Sequence, residues 1–292
     1  MSTWQLLQLA SVQNALLAAL VIGVAAGVVG PFVVARRMAF AVHGIAELAF
    51  TGAAAGLLAA DQPVLGALVG SLVVATLLAA LGQREAQRDS SIGVVLAFGL
   101  GLGLLLLHYY RGFATAATNI LFGQVNGVSE RQLGLLVGLA ILVVTGVAVL
   151  WRPLVFASID PEVAEARGVP TRLVSLLFLF LLAFTVTEAA QIVGTLLVLS
   201  LVITPAAAAQ RLTAGPGAAV AVAACLAVAA GDGGIALSVA GDVPPSVFVT
   251  TISFTLYLLA RVLGGARRSR QGRRLAAVVG AAADDSHGGA TP

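Results

Sequence analysis

The run LVSLLFLFLLAFTVTEAAQIVGTLLVLSLVITPAAAAQ, residues 173–210, contains one charged residue, Glu188, in a stretch nearly twice the roughly 20 residues that a helix needs to cross a bilayer core. Seven further apolar segments accompany it, at 13–35, 38–60, 63–82, 92–110, 133–151, 217–240 and 247–264. Continuous apolarity of this length means helices, because only helices and closed barrels satisfy their own backbone in lipid. The fold expected is an all-α polytopic integral membrane protein with eight to nine transmembrane helices. Residues 173–210 decide between the two counts. Crossing twice, with a turn near residues 188–191, they give nine spans; as one broken or re-entrant helix they give eight.

The arginines bear on that choice. Arg36 and Arg37, Arg84 and Arg88, the loop 152–172, Arg211 and the tail 261–274 all fall at one set of segment ends, which the positive-inside rule assigns to the cytoplasm. The opposite ends carry Asp61 and Gln62, residues 108–130, and residues 241–245, with Arg111 and Arg131 as the dissenters. The alternation is self-consistent with nine spans, an external amino terminus and a cytoplasmic carboxyl terminus.

Composition agrees, with 59% hydrophobic residues, 10% charged residues and a mean hydropathy of +1.02 over 292 residues. A soluble domain could not cover its core with so little polar surface. All sixteen basic residues are arginine. A phosphate-binding P-loop needs its lysine, so a Walker-type ATPase is excluded within this chain. Cys225 stands alone in an apolar segment, reads as a small buried hydrophobe, and rules out a disulfide framework. No positive charge precedes Arg36, so 13–35 reads as a mature span and not as a secretory signal. One membrane domain, 13–264, is followed at 265–292 by an Arg-rich and then low-complexity tail, expected to be disordered and cytoplasmic. Glycines at small-xxx-small spacing, Gly23 with Gly27 and Gly99 with Gly103, fit close helix packing.

Two places carry candidate chemistry. His43 and Glu47 lie within the segment 38–60, and ionisable residues inside a span mark function by default. Their four-residue spacing stacks them on one helical face, so an imidazole nitrogen and a carboxylate oxygen can converge on one ion. Nitrogen with oxygen suits zinc, manganese or ferrous iron, whereas calcium and magnesium prefer oxygen alone. The alternative is a His/Glu hydrogen bond that only pins helix packing. In the loop 152–172, Asp160 can cap a helix, Pro161 fits its first turn, Glu162 suits its positive end, and Gly168 with Pro170 stops it. So short a helix persists only by docking, either onto a partner or onto this chain's own helix ends.

Other polar residues read more simply. Glu188 and Gln191 are expected at a solvated external turn, with a place on an ion path as the alternative. Asp232 reads as a helix break or an intramembrane hydrogen bond within the glycine-rich residues 231–234. Asp242 reads as an outward loop residue, and His108 with Tyr109 and Tyr110 as an interfacial aromatic belt.

The stretches 13–16 (QNAL), 30–40 (GPFVVARRMAF), 91–93 (SIG), 121–123 (LFG), 160–164 (DPEVA) with 168–170 (GVP), 191–198 (QIVGTLLV) and 203–207 (ITPAA) form an ordered series along the chain. In their order and spacing the chain resembles the permease subunits of zinc- and manganese-type ABC transporters, collinearly to about Gly264. In that family the helix after the Arg-Arg-Met turn reads Gly-Asp-Ala-Leu-Ser-His-Ala, and its Asp and His contact the transported metal. Here His43 stands at the acid's position and Glu47 at the histidine's, exchanging the two groups while keeping one of each.

The resemblance implies a permease without enzymatic activity or a permanently bound cofactor, its cargo a divalent zinc, manganese or iron ion. It also implies a coupling helix near 160–168, including Asp160, Pro161, Glu162, Ala164, Glu165 and Gly168, seated in a cleft of a separate ATPase subunit. The expected partners are that ABC ATPase, an extracytoplasmic metal-binding protein, a second permease copy and the lipid bilayer of the bacterial inner membrane, with no nucleic acid. Coordination requires neutral histidine and ionised glutamate, so uptake is expected to fall in acid. Rival readings are a permease for a metal chelate such as a siderophore or corrinoid, and a secondary transporter in which His43 and Glu47 relay protons. An intramembrane metallohydrolase ranks last, since no His-Glu-x-x-His motif occurs and His43 is the only histidine well inside a span.

Overall fold

The computed structural model describes residues 10–80, 85–110, 128–195, 198–241 and 243–265. Among them the chain is helical and strand-free: α1 (Ala10–Ala35), α2 (Ala39–Ala60), α3 (Pro63–Ala80), α4 (Glu85–His108), α5 (Glu130–Val149), α6 (Trp151–Ile159) and α7 (Pro161–Ala166). There follow α8 (Thr171–Val193), α9 (Val198–Leu212), α10 (Pro216–Gly241) and α11 (Pro245–Gly265). Seven of these are long and apolar enough to cross a membrane, and two shorter apolar stretches, Leu96–His108 and Val198–Leu212, accompany them. The fold class is therefore as expected, while the described residues give seven helices of spanning length and not nine.

Residues 173–210 do divide, but at a different point. Helix α8 runs through Glu188 to Val193, and its C-cap is Gly194 at φ 89° and ψ 154°. Glycine alone takes that conformation readily, so the break belongs to Gly194. Glu188 is correspondingly not a solvated turn residue: it is fully buried in α8. Two further expectations fail. Helix α10 runs unbroken through residues 231–234, leaving Asp232 half-buried with Oδ1 lacking a hydrogen-bond partner. Cys225 is exposed, on a face of α10 that lipid can solvate as well as protein can. His108 and Tyr109 are exposed at the end of α4. Residues 111–127, Asp242 and the tail from 266, including His287, lie outside the described residues.

Exposure on these helices is the reverse of a soluble protein's. On α3, Leu65, Val69, Val73 and Leu77 form an exposed stripe at four-residue spacing, while Ala67, Ser71, Val74, Ala75 and Leu78 are buried. A helix apolar on every side belongs in lipid. Association there relies on close packing, because lipid tails are as apolar as the side chains.

Small residues provide that packing. Helix α1 lies centrally against α5, α8, α9 and α10. A methyl group on Gly27 would overlap the backbone of Ala224, and one on Gly23 would press on Val228 at 2.9 Å. Gly99 and Gly103 of α4 likewise face Leu48 and Phe50 of α2. Both glycine pairs expected from the sequence are thus at helix contacts. A tighter contact joins α2 to α3, where Gly52 and Gly56 face Gly66 and Gly70 backbone to backbone. Substitution Gly66→Val should splay this hairpin and cost about 1–3 kcal/mol by overpacking. Gly138→Ala, which has nothing within 4 Å, should leave the thermal midpoint of the purified protein unchanged.

Candidate functional site

Helix α2 is aimed by the turn before it. Arg37 takes a left-handed conformation at φ 53°, and the Met38 N–H donates to Val33 O at 2.9 Å. Arg36 Nη2 donates to Ser175 Oγ at 2.9 Å, and its guanidinium lies 5.4 Å from the Phe178 ring centroid. Phe178 and Trp151 both meet Phe32 edge-on. The ends of α1 and α2 are thereby tied to the first turns of α8.

His43 and Glu47 follow on the first turns of α2 and share a face, as their spacing requires. His43 Nε2 and Glu47 Oε1 are 4.0 Å apart, with the glutamate side chain 6% exposed and the imidazole 36%. That separation is too long for a hydrogen bond, so the pinning alternative lacks its bond. It is shorter than two metal–ligand bonds of about 2.1 Å laid end to end, so one ion can bridge the two atoms. His43 Nδ1 and Glu47 Oε2 have no hydrogen-bond partner either. A buried carboxylate and a partly exposed imidazole therefore stand side by side, each with one buried atom left unbonded. Among the described residues no group of three or more His, Cys, Asp or Glu side chains could hold a metal, so this pair stands without a third such side chain beside it.

Thr51 extends the same face. Its hydroxyl donates to Gly99 O at 2.6 Å, fixing α2 to α4 one turn beyond Glu47. Reading the sequence for ionisable groups passed over it, although the four-residue recurrence at 43, 47 and 51 is visible there.

Helix α7 is built as its residues dictate. Asp160 Oδ1 accepts from the Val163 N–H at 3.0 Å, and Pro161 opens the helix. Gly168 at φ +82° closes it, with Val169 N–H donating to Ala164 O at 3.0 Å. Ala164 is buried, where α7 meets α6 and α8. Glu162, Val163, Glu165 and Gly168 are exposed. One side chain anchors the element, and the rest of it presents a free surface.

Elsewhere, Glu188 is buried with neither carboxylate oxygen hydrogen-bonded, and Thr195 Oγ1 is buried and unpartnered. Glu188 does not join His43 and Glu47 in a group that could hold a metal.

An all-helical bundle with an ionisable pair in its wall, no P-loop lysine, and a capped helix left bare at one end is the construction of a transport subunit. The chain belongs to the ABC 3 transport family, whose sequence model matches residues 8–264. It is 31% identical over 257 residues to the manganese transport system membrane protein MntC of Halalkalibacterium halodurans, covering 88% of each chain. It is 26% identical over 248 residues to the high-affinity zinc uptake system membrane protein ZnuB of Haemophilus influenzae, covering 84% of this chain and 95% of that one. Among solved structures, PsaBC from Streptococcus pneumoniae in complex with Fab superposes with a TM-score of 0.81 at 24% identity, over 88% of this chain and 94% of that one. That likeness establishes the shared fold.

The α7 cap has a local consequence. Asp160→Ala should cost about 1 kcal/mol of local helix stability, or roughly fivefold faster amide exchange over residues 161–166. Hydrogen exchange followed by mass spectrometry reads this directly, and the thermal midpoint should not move.

Proposed function

We propose that this chain is the membrane permease of an ABC importer for a divalent transition metal ion, and that the ion rests in transit on His43 and Glu47. The observation that carries this reading is the pair itself: a nitrogen and an oxygen donor 4.0 Å apart, on one helix, with further donor atoms unpaired in the membrane interior. Polar atoms of an ionisable pair left unbonded inside a membrane bundle are costly, and a transported cation offsets that cost. The manganese and zinc named for the relatives agree with this donor set, and ferrous iron is admitted by the same chemistry.

In this reading α4 and α9 complete nine crossings, the amino terminus is external, and the permease domain spans 13–264 with a cytoplasmic tail. Helix α7 couples to a separate ATPase subunit through its exposed Glu162 and Glu165, with Asp160 and Pro161 opening it, Ala164 anchoring it and Gly168 ending it. An extracytoplasmic metal-binding protein delivers the ion. Two copies of the permease form the pathway, which supplies two His43 and two Glu47, the four ligands that a tetrahedral ion takes. Neutral imidazole is needed for coordination, so import weakens in acid.

The test is metal accumulation in cells carrying His43→Ala or Glu47→Ala at wild-type membrane abundance. Each variant should lose at least about tenfold in uptake, the order of effect seen when a metal's supporting residues are removed. Wild-type uptake in both variants rules out the site. Uptake that survives ATP depletion and collapses with the proton gradient would favour a proton-relaying secondary transporter instead.

A further inference from the structure

The ends of α1, α6 and α9 and the start of α10 enclose a groove. Its volume is about 390 Å³, and its walls include Phe32 and Ala35 of α1, Val155 and Ile159 of α6 and Ala219 of α10, with Gln210 of α9 at one side. That volume falls within the roughly 300–1,000 Å³ of sites that hold a ligand. No charged side chain lines it. Gln210 is already engaged, since its Nε2 donates to Pro31 O at 2.8 Å, and Ser158 in the α6 wall donates to Leu154 O at 2.6 Å. The groove thus presents apolar surface and shape, and Ile159 at its rim, beside the turn into α7, is 77% exposed.

The end of α11 decides what can reach this groove. A methyl group on Gly264 would lie 2.7 Å from Arg211 O, so the last turn of α11 packs on α9 one residue away from Gln210. Residues 266–292 leave from that point. Within them 275–283, LAAVVGAAA, is an apolar run set between Arg273 with Arg274 and Asp284 with Asp285. It is too short to cross a bilayer, which takes about 20 residues, and too apolar to be left to water without a partner surface. Residues 266–274 before it can extend up to about 30 Å, at roughly 3.3 Å each, which is ample for a groove that begins beside Arg211. The groove also lies where α1 and α9 stop and α10 starts, level with Arg36 and Arg211, and arginines at segment ends mark the headgroup region and not the acyl core. A lipid chain is therefore a poorer cover for it than an apolar segment tethered beside it.

We propose that residues 275–283 of this chain's own tail seat in the groove between α1, α6 and α10, and so fasten α6 to the body of the bundle. Tethering sets an effective concentration on the order of millimolar, so a segment with an intrinsic Kd of about 0.1 mM stays seated roughly nine-tenths of the time. Helix α6 runs into α7 through Asp160, so a seated segment also restrains the element assigned above to ATPase coupling. Its release lets α6 move with α7. The inference goes beyond the importer reading and does not depend on it, because the docking is a property of this chain alone.

The test is the rate at which a water-soluble maleimide labels the groove, in the full-length chain in lipid nanodiscs. Cys225, the only cysteine, is first replaced by alanine, and Ser158→Cys then places one thiol in the α6 wall. Labelling should be slow in the full-length chain and about tenfold faster in a chain ending at Gly265, in line with the occupancy above. The pair Val278→Asp with Val279→Asp keeps the whole tail and should speed labelling by a similar factor, since two carboxylates cannot enter an apolar groove unpaired. Arg172→Cys, exposed and outside the groove, should label at one rate in all three chains. Equal rates at Ser158→Cys with and without the tail overturn the docking, whether both are fast, as for an open groove, or both slow, as for one filled by lipid. Faster labelling after truncation but not in the aspartate pair overturns the assignment to 275–283. A parallel rise at Arg172→Cys overturns it too, by marking a general loosening of the bundle. None of these readouts requires metal transport, so this inference and the importer reading can each fail while the other stands.

Discussion

The contact between Gly52 and Gly66 is the constraint on which the placement of the candidate site depends. In lipid no hydrophobic force draws helices together, so association comes from how closely backbones can approach. Facing glycines on α2 and α3 bring the two helices into backbone contact, and Gly99 and Gly103 let α4 settle on Leu48 and Phe50 from another side. Thr51 then bonds to Gly99 O across that second contact. The Arg36 and Arg37 turn fixes where α2 begins. Held from three directions, α2 has no freedom to turn His43 and Glu47 away, and the imidazole and carboxylate stay on the same face. A bundle of bulkier residues would leave that helix free to rotate.

Much of the fold was legible because the membrane removes options. Once a run is apolar and long enough, helix is the only open-ended structure whose backbone satisfies itself, and both ends of the segments near 13–35 and 63–82 follow within a few residues. The short helix α7 was legible for a local reason: its cap, its proline and its terminating glycine act within a few residues of one another, and each behaves as its chemistry dictates. The His43 and Glu47 pairing was legible from helical period alone.

What failed to show in the sequence depends on neighbours far along the chain. Glu188 and Gln191 look like turn residues because acid and amide side chains usually seek water, yet the chain continues as helix until a glycine permits it to bend. Nothing near Glu188 in sequence announces that α1, α2, α3, α5 and α9 surround its helix. The Gly52 and Gly66 contact is hidden likewise, since glycines are common throughout this chain and only the hairpin's register shows which ones touch. Cys225 was misplaced for the complementary reason: in lipid a small apolar side chain gains little by being inside, so its exposure carries no penalty. The general rule that apolar residues lie inside loses its force where the solvent is apolar too.

The polar groups, by contrast, keep their meaning in lipid and gain weight. An unpaired polar group removed from water costs about 2–7 kcal/mol. Glu47, Glu188 and Asp232 each hold at least one oxygen without a partner, and none sits at a helix terminus where backbone N–H groups would satisfy it. A helix bundle gains nothing in stability by keeping three such groups, and each could be replaced by an apolar residue of similar size. Their positions on three different helices of one bundle fit a protein whose interior is completed only when something charged passes through it. Unspent ligand capacity within the membrane, more than any single motif, is therefore the feature that ties this sequence to transport.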